Sequence, residues 1–99
     1  MARFDVYRIT GVQGYVVDVQ ANFLSQLETR IVVPLMLAHD APHPAARLNP
    51  QFRVGDDDVV MATQFMAAVP RGALSATAAS LSDHRDEIVT AIDFLMQGF

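Results

Sequence analysis

One stretch of the chain has the pattern of a helix, and almost everything before it is cut into short segments by glycine and proline. Residues 81–99 contain neither breaker until Gly98, and Ser82 is placed to cap the N-terminus of a helix. At about 100° per residue, one face of this helix is apolar and consists of Ile88, Val89, Ala91, Ile92, Leu95 and Met96. Gly98 suits the left-handed position after a helix, from which Phe99 would fold back towards Phe94. We expect an apolar Phe99 to be covered by the fold, by a second copy or by a partner.

The segments before this helix carry strand patterns. Runs rich in β-branched, aromatic or continuous apolar residues occupy positions 4–9, 15–20, 31–37, 47–54, 59–63 and 67–70. The turns at 10–14 and 55–58 join two pairs of these runs into hairpins. Pro34 cannot donate to a strand ladder and must face an edge or a bulge, whereas residues 73–80 favour no assignment. These patterns predict a mainly β, barrel-like single domain over residues 1–99, built from short antiparallel strands with a C-terminal α-helix.

Composition and net charge limit the kinds of partner that the chain can bind. The net charge is −4, and the seven basic residues are dispersed arginines, so we expect no direct contact with nucleic acid. With 52% hydrophobic and only 18% charged residues, the chain is more apolar than a small monomer needs, which predicts a homodimer. The N-terminus has no apolar signal core and residues 59–82 are broken by polar positions, so we expect a cytoplasmic protein without a membrane segment.

No residue pattern predicts catalysis or metal binding. The chain has no cysteine and no glycine-flanked nucleophilic serine. His39 and His43 lack a third strong ligand, and the acidic turn at 55–58 lacks the spaced oxygens of a calcium loop. His84 is interpreted as a surface residue. The apolar pair at 23–24 is equally consistent with core packing and with a partner contact, and we expect no cofactor and no catalytic residue.

Several short motifs, taken in order, resemble the CcdB toxins of bacterial toxin–antitoxin systems. They are FDVY at 4–7, VDVQ at 17–20, RIVVPL at 30–35, LNP at 48–50, VGD at 54–56, MAT at 61–63, MAAVP at 66–70, LSDHR at 81–85, AI at 91–92 and GF at 98–99. The resemblance covers essentially the whole chain, and its strength comes from the order and spacing of motifs that are individually weak.

This resemblance implies a homodimeric SH3-like barrel with a C-terminal helix and no enzymatic activity. Such toxins insert the end of the helix into the A subunit of DNA gyrase and trap the cleavage complex, and a disordered segment of a CcdA-like antitoxin neutralises them and represses the operon with them. The gyrase-contacting positions of the family correspond here to Phe23, Leu24, Asp93, Met96, Gln97, Gly98 and Phe99.

Two of these positions depart from the family pattern. Gln97 stands where the well-studied family member has tryptophan, and Asp93 stands where asparagine is typical. Either Met96, Phe94 or Phe99 supplies the anchor, or the target surface differs, or the chain is a degenerate homologue that binds antitoxin without poisoning gyrase. A MazF-like endoribonuclease on the same barrel is a further alternative, although it would require a positive groove and an acid–base set.

Overall fold

A curled antiparallel sheet with one C-terminal helix makes up the fold in the computed structural model, which describes residues 2–41 and 43–98. The strands are β1 (Asp5–Ile9), β2 (Tyr15–Asp18), β3 (Thr29–Leu37), β4 (Gln51–Val54), β5 (Asp57–Met61), β6 (Ala67–Pro70) and β7 (Leu74–Ser80), and the helix is α1 (Arg85–Gln97). Short 3-10 turns occupy Asn22–Leu24, Ala38–Asp40, Thr63–Phe65, Arg71–Ala73 and Ser82–His84. The strand order is β4-β5-β3-β2-β1-β7, with β6 paired to β3. The prediction of a mainly β, SH3-like barrel with a C-terminal helix is confirmed.

The long strand β3 organises this sheet. One of its edges pairs with β2, while the other pairs with β6 through residues 29–32 and with β5 through residues 35–37. Pro34 lies where that second edge passes from β6 to β5, and its carbonyl accepts the Ala62 N–H at 2.9 Å. In a strand, the N–H and the carbonyl of one residue point to the same edge. Proline has no N–H, so Pro34 lies where the hydrogen-bond ladder on that edge is interrupted.

Both predicted hairpins are present, although the second turn is tighter than predicted. Strands β1 and β2 pair with Val6 opposite Val17. In the other hairpin Val54 pairs with Asp57, so the loop has two residues and the strand starts before Val59. Gly55 adopts a φ of 59°, which is the positive value that the first residue of a two-residue hairpin turn with the favoured twist needs.

The main core lies between the concave face of the sheet and the first half of α1. It includes the fully buried side chains Val6, Val17, Val33, Leu35, Met61, Ile88 and Ala91. A smaller cluster of Tyr7, Val16, Val32 and Leu74 lies on the opposite face of the strands, as the two-residue period of a strand dictates. Strand β7, which the sequence left unassigned, pairs with β1 alone among the described strands and has an irregular register. Its small, mostly exposed side chains explain why no pattern identified it.

The helix begins two residues later than predicted, and the assignment of Ser82 as its N-cap is wrong. Ser82–His84 forms a 3-10 turn, and the cap position of α1 is His84, which makes no side-chain cap bond. The Ser82 hydroxyl lies 3.2 Å from that of Ser80. Leu81 is buried and its N–H donates to the Phe4 carbonyl at 2.8 Å, so the entry to the helix is set by backbone bonding to the N-terminal segment. Neither α1 nor any other helix in the described ranges is long and apolar enough to cross a membrane.

Candidate partner-binding surface

The two halves of α1 have different surroundings. Ile88 and Ala91 in the first half are 0% exposed, whereas Leu95 and Met96 in the last turn are 37% and 64% exposed. The predicted apolar face is therefore only partly covered by the fold. Its uncovered end coincides with the exposed positions Asp93 and Gln97, which were predicted to contact a partner.

A left-handed glycine ends the helix, as predicted. Gly98 has a φ of 80°, and its N–H donates to the Phe94 carbonyl at 2.8 Å, which satisfies one of the free carbonyls at a helix C-terminus. Phe99 lies outside the described residues, so its closure onto Phe94 and its partner contact stay predictions. Phe94 is half-buried, and the Arg47 guanidinium stands 4.7 Å above its ring centroid in a cation–π contact.

A second exposed apolar segment lies in the connection between β2 and β3. Phe23 is 94% exposed and Leu24 is 45% exposed, and both belong to the turn Asn22–Leu24. Of the two alternatives left open for this pair, core packing is therefore wrong for Phe23, and a partner contact stays a prediction. Leu27, which was not singled out from the sequence, adds a third exposed apolar side chain in the same connection.

Hydrogen bonds of the buried Gln20 and of the exposed Asn22 hold this turn in place. The Gln20 side chain donates to the Leu24 carbonyl at 2.7 Å and accepts the Ile31 N–H at 3.0 Å. The Asn22 side-chain oxygen accepts the Arg3 N–H at 2.8 Å. Because these bonds fix the turn on both sides, the backbone at Phe23 is ordered before a partner binds. This lowers the entropy cost of binding.

An ion pair between Asp18 and Arg30 lies beneath this support. Arg30 Nε and Nη2 donate to one Asp18 carboxylate oxygen at 2.8 and 2.5 Å, and the other oxygen accepts the Gln20 N–H at 3.0 Å. Both side chains are 0% exposed, and Arg30 Nη1 has no partner among the described residues. Breaking such a pair leaves a buried charge, so the pair locks the β2–β3 connection. Sequence reasoning missed it, although a charge inside the apolar run VVDV at 16–19 was an available signal.

The two exposed segments have separate supports. Helix α1 is held by the packing of Ile88 and Ala91 on the core side chains of the sheet, whereas the turn Asn22–Leu24 is held by hydrogen bonds of Gln20 and Arg3. Predicted contact residues thus occur at two exposed apolar segments, each held by its own contacts.

Other side-chain contacts, made by Tyr15 and His84, join neighbouring elements of the fold. The Tyr15 hydroxyl donates to the Asp57 carboxylate at 2.5 Å and accepts from Arg8 Nη2 at 3.1 Å, which links β2 to β5. The hydrogen bond to Asp57, together with burial, raises the pKa of Tyr15 above its ordinary value of 10.0. His84 Nδ1 lies 3.0 Å from the Glu87 carboxylate at the exposed start of α1.

Residue types that can ligate a metal are scattered through the part of the chain that the structure describes. Within residues 2–41 and 43–98, no group of three or more His, Cys, Asp or Glu side chains is placed to hold a metal ion. His39 and Asp40 lie 3.4 Å apart, and both are largely exposed. The exposed apolar side chains at the end of α1 and in the β2–β3 connection suit contact with another macromolecule.

The fold is a small curled β sheet whose C-terminal helix leaves apolar side chains of its last turn exposed. The chain matches the family described as CcdB protein over residues 3–98. It therefore belongs to the CcdB family. Members of this family are toxins of toxin–antitoxin systems, and the family is not one of catalytic enzymes. The resemblance inferred from the ordered motifs is thus confirmed.

Proposed function

We propose that this protein is a toxin that binds the A subunit of DNA gyrase and traps the gyrase–DNA cleavage complex. The observation that carries the proposal is the family match over residues 3–98 together with exposed apolar side chains at family contact positions. Met96 at the end of α1 and Phe23 in the β2–β3 connection are the most exposed of these. The toxic effect then comes from binding alone.

The proposed contact is favourable because it covers apolar surface that is already ordered. Covering an aromatic or methionine side chain removes it from water, and each such burial contributes about 1.5–3 kcal/mol. Phe23 and Met96 offer this gain, while the hydrogen bonds of Gln20 and of Gly98 limit the ordering cost. The other residues of the proposed contact set are Leu24, Asp93, Gln97, Gly98 and Phe99.

We also propose a homodimer and a CcdA-like antitoxin as partners in the cytoplasm. Several large apolar side chains are exposed in the described residues, which supports a shared surface between two copies. The antitoxin would neutralise the toxin and repress the operon with it. The acidic balance of the chain fits these protein contacts, because gyrase, and not the toxin, would hold the DNA.

A second candidate within the same family is a degenerate toxin that binds antitoxin but does not poison gyrase. The observation that favours it is Gln97, an exposed polar side chain in the last turn of α1. An amide at the centre of an interface cannot supply the packing energy of a buried aromatic residue.

A plasmid-cleavage assay with purified gyrase tests the proposal. The wild type should produce linear plasmid, Met96→Lys should produce far less, and Val12→Lys should act like the wild type. Val12 is a matched control because it is also exposed, at 52%, but lies in the β1–β2 connection. No linear product from the wild type, with antitoxin binding retained, would favour the degenerate toxin. Degradation of total RNA by the purified protein would instead favour a MazF-like endoribonuclease.

A further inference from the structure

The side-chain amide of Gln20 joins the two sides of the β2–β3 connection. Its nitrogen donates to the Leu24 carbonyl at 2.7 Å, and its oxygen accepts the Ile31 N–H at 3.0 Å. One end of the amide therefore holds the turn Asn22–Leu24, and the other end holds β3. Gln20 is only 6% exposed, so a partner that binds at the surface does not touch its amide.

This amide continues the β2–β3 pairing where the regular ladder stops. The last regular pair of the two strands is Asp18 opposite Val32, and the Val19 N–H still donates to the Ile31 carbonyl at 3.0 Å. The Ile31 N–H, however, donates to the Gln20 side chain. A carboxamide has a donor and an acceptor, as a peptide group has. The Gln20 side chain thus takes the place of a backbone peptide group in this connection.

The buried ion pair holds the backbone of Gln20. The Gln20 N–H donates to one carboxylate oxygen of Asp18 at 3.0 Å, and the other oxygen accepts from the Arg30 guanidinium. Both charged side chains are 0% exposed. A glutamine side chain loses considerable rotamer entropy when it is ordered. Because Gln20 is already held in the folded protein, this entropy is lost on folding and not on binding.

We propose that Gln20 is a positioning residue for gyrase binding, because its amide sets the conformation in which the turn Asn22–Leu24 presents Phe23 to the A subunit. This inference rests on the proposed function and adds to it a residue that acts without touching the partner. Phe23 is 94% exposed, so the backbone of its turn, and not packing of its ring, determines where the ring lies. Without the Gln20 amide, the turn becomes mobile and its ordering cost falls on binding.

Calorimetric titration with the purified gyrase A subunit tests this role. Gln20→Met keeps the length of the side chain but removes its donor and acceptor, and it should weaken binding about 5- to 10-fold. Gln20→Asn keeps the amide on a stem too short to reach both partners and should weaken binding as well. The control is Tyr15→Phe, which removes the hydrogen bonds of an equally buried β2 side chain outside the connection and should bind like the wild type.

A double-mutant cycle shows whether Gln20 acts through Phe23. In a Phe23→Ala background, Gln20→Met should weaken binding further by less than about twofold, because the ring to be positioned is absent. In a Met96→Ala background, the same substitution should keep its full effect of about 5- to 10-fold. A loss of stability throughout the fold would instead give the same factor in both backgrounds.

Hydrogen exchange measures the order of the turn without any partner. The Leu24 N–H donates to the Ala21 carbonyl, and the Ser25 N–H donates to the Asn22 carbonyl. Both amides should exchange faster in Gln20→Met than in the wild type, whereas amides in the paired part of β2 and β3 should keep their protection. Urea denaturation and circular dichroism identify any variant that has lost its fold.

The outcomes separate the positioning role from the proposed function. Weaker binding that depends on Phe23, with faster exchange in the turn, supports the role. Wild-type affinity in the folded Gln20 variants, or an equal factor in the two backgrounds, would overturn it while leaving gyrase as the target. A wild type that does not bind the A subunit would overturn the proposed function and this role together.

Discussion

The first and last turns of α1 carry the same kind of apolar side chain but use it differently. Ile88 is 0% exposed in the core, and Met96, two turns later on the same predicted face, is 64% exposed. A continuous apolar stripe on a helix therefore does not imply a continuous core contact. The first half of the stripe stabilises the fold, and we assign the second half to a partner.

The largest effect is expected where a buried charge loses its partner. Asp18→Ala removes the carboxylate that binds Arg30, and both groups are fully buried. We expect a loss of about 3–5 kcal/mol in the free energy of unfolding, measured by urea denaturation. The control is Asp58→Ala, which breaks the exposed pair with Arg53 and should cost no more than about 1 kcal/mol. Equal losses in the two variants would contradict the role given to the buried pair.

The helix itself offers the closest comparison of its two ends. Ile88→Ala should lower the free energy of unfolding by about 2–5 kcal/mol, because it leaves a cavity in the core. Met96→Ala truncates an exposed side chain and should change it by no more than about 0.5 kcal/mol. Denaturant titrations of both variants measure the difference. Similar destabilisation by both would mean that the last turn also belongs to the core.

A smaller, pH-dependent effect is expected at Tyr15. Tyr15→Phe removes the hydrogen bond to Asp57 and should cost about 1.5 kcal/mol at pH 8. The pKa of Tyr15 is raised in the folded protein, so its stabilising contribution is complete below pH 10 and is lost as the pH rises through the folded pKa. The difference between wild type and variant should therefore shrink by pH 11. A constant difference across this range would contradict the assignment of the bond.

Much of the fold could be predicted because it follows from local patterns. The hairpins, the break at Pro34 and the left-handed Gly98 each depend on residues close in sequence. The helix start was misplaced because the carbonyl that bonds Leu81 belongs to Phe4, and no local pattern records a bond across the chain. Strand β7 was missed for a similar reason, since its alanines and serines form a strand only when β1 supplies the edge.

The sequence named residues of the candidate site that the structure shows to be exposed, but their contact with a partner stays a prediction. The resemblance to the CcdB family gave Met96 and Phe23 as contact residues, and both are exposed. Leu27, which is exposed in the same β2–β3 connection as Phe23, could not be identified in this way, because exposure depends on which neighbours the fold brings together. The Asp18–Arg30 pair was missed because its partners are separated by the whole β2–β3 connection.

The most direct test of the account is the affinity for the gyrase A subunit of variants that place a charge on each exposed segment. Phe23→Lys and Met96→Lys should each weaken binding by at least about tenfold, because a charge would be buried in an apolar contact, whereas Val12→Lys should bind like the wild type. Calorimetry on folded variants measures all three. Unchanged affinity in both segment variants, or an equal loss in the Val12 control, would contradict the claim that these segments form the partner-binding surface.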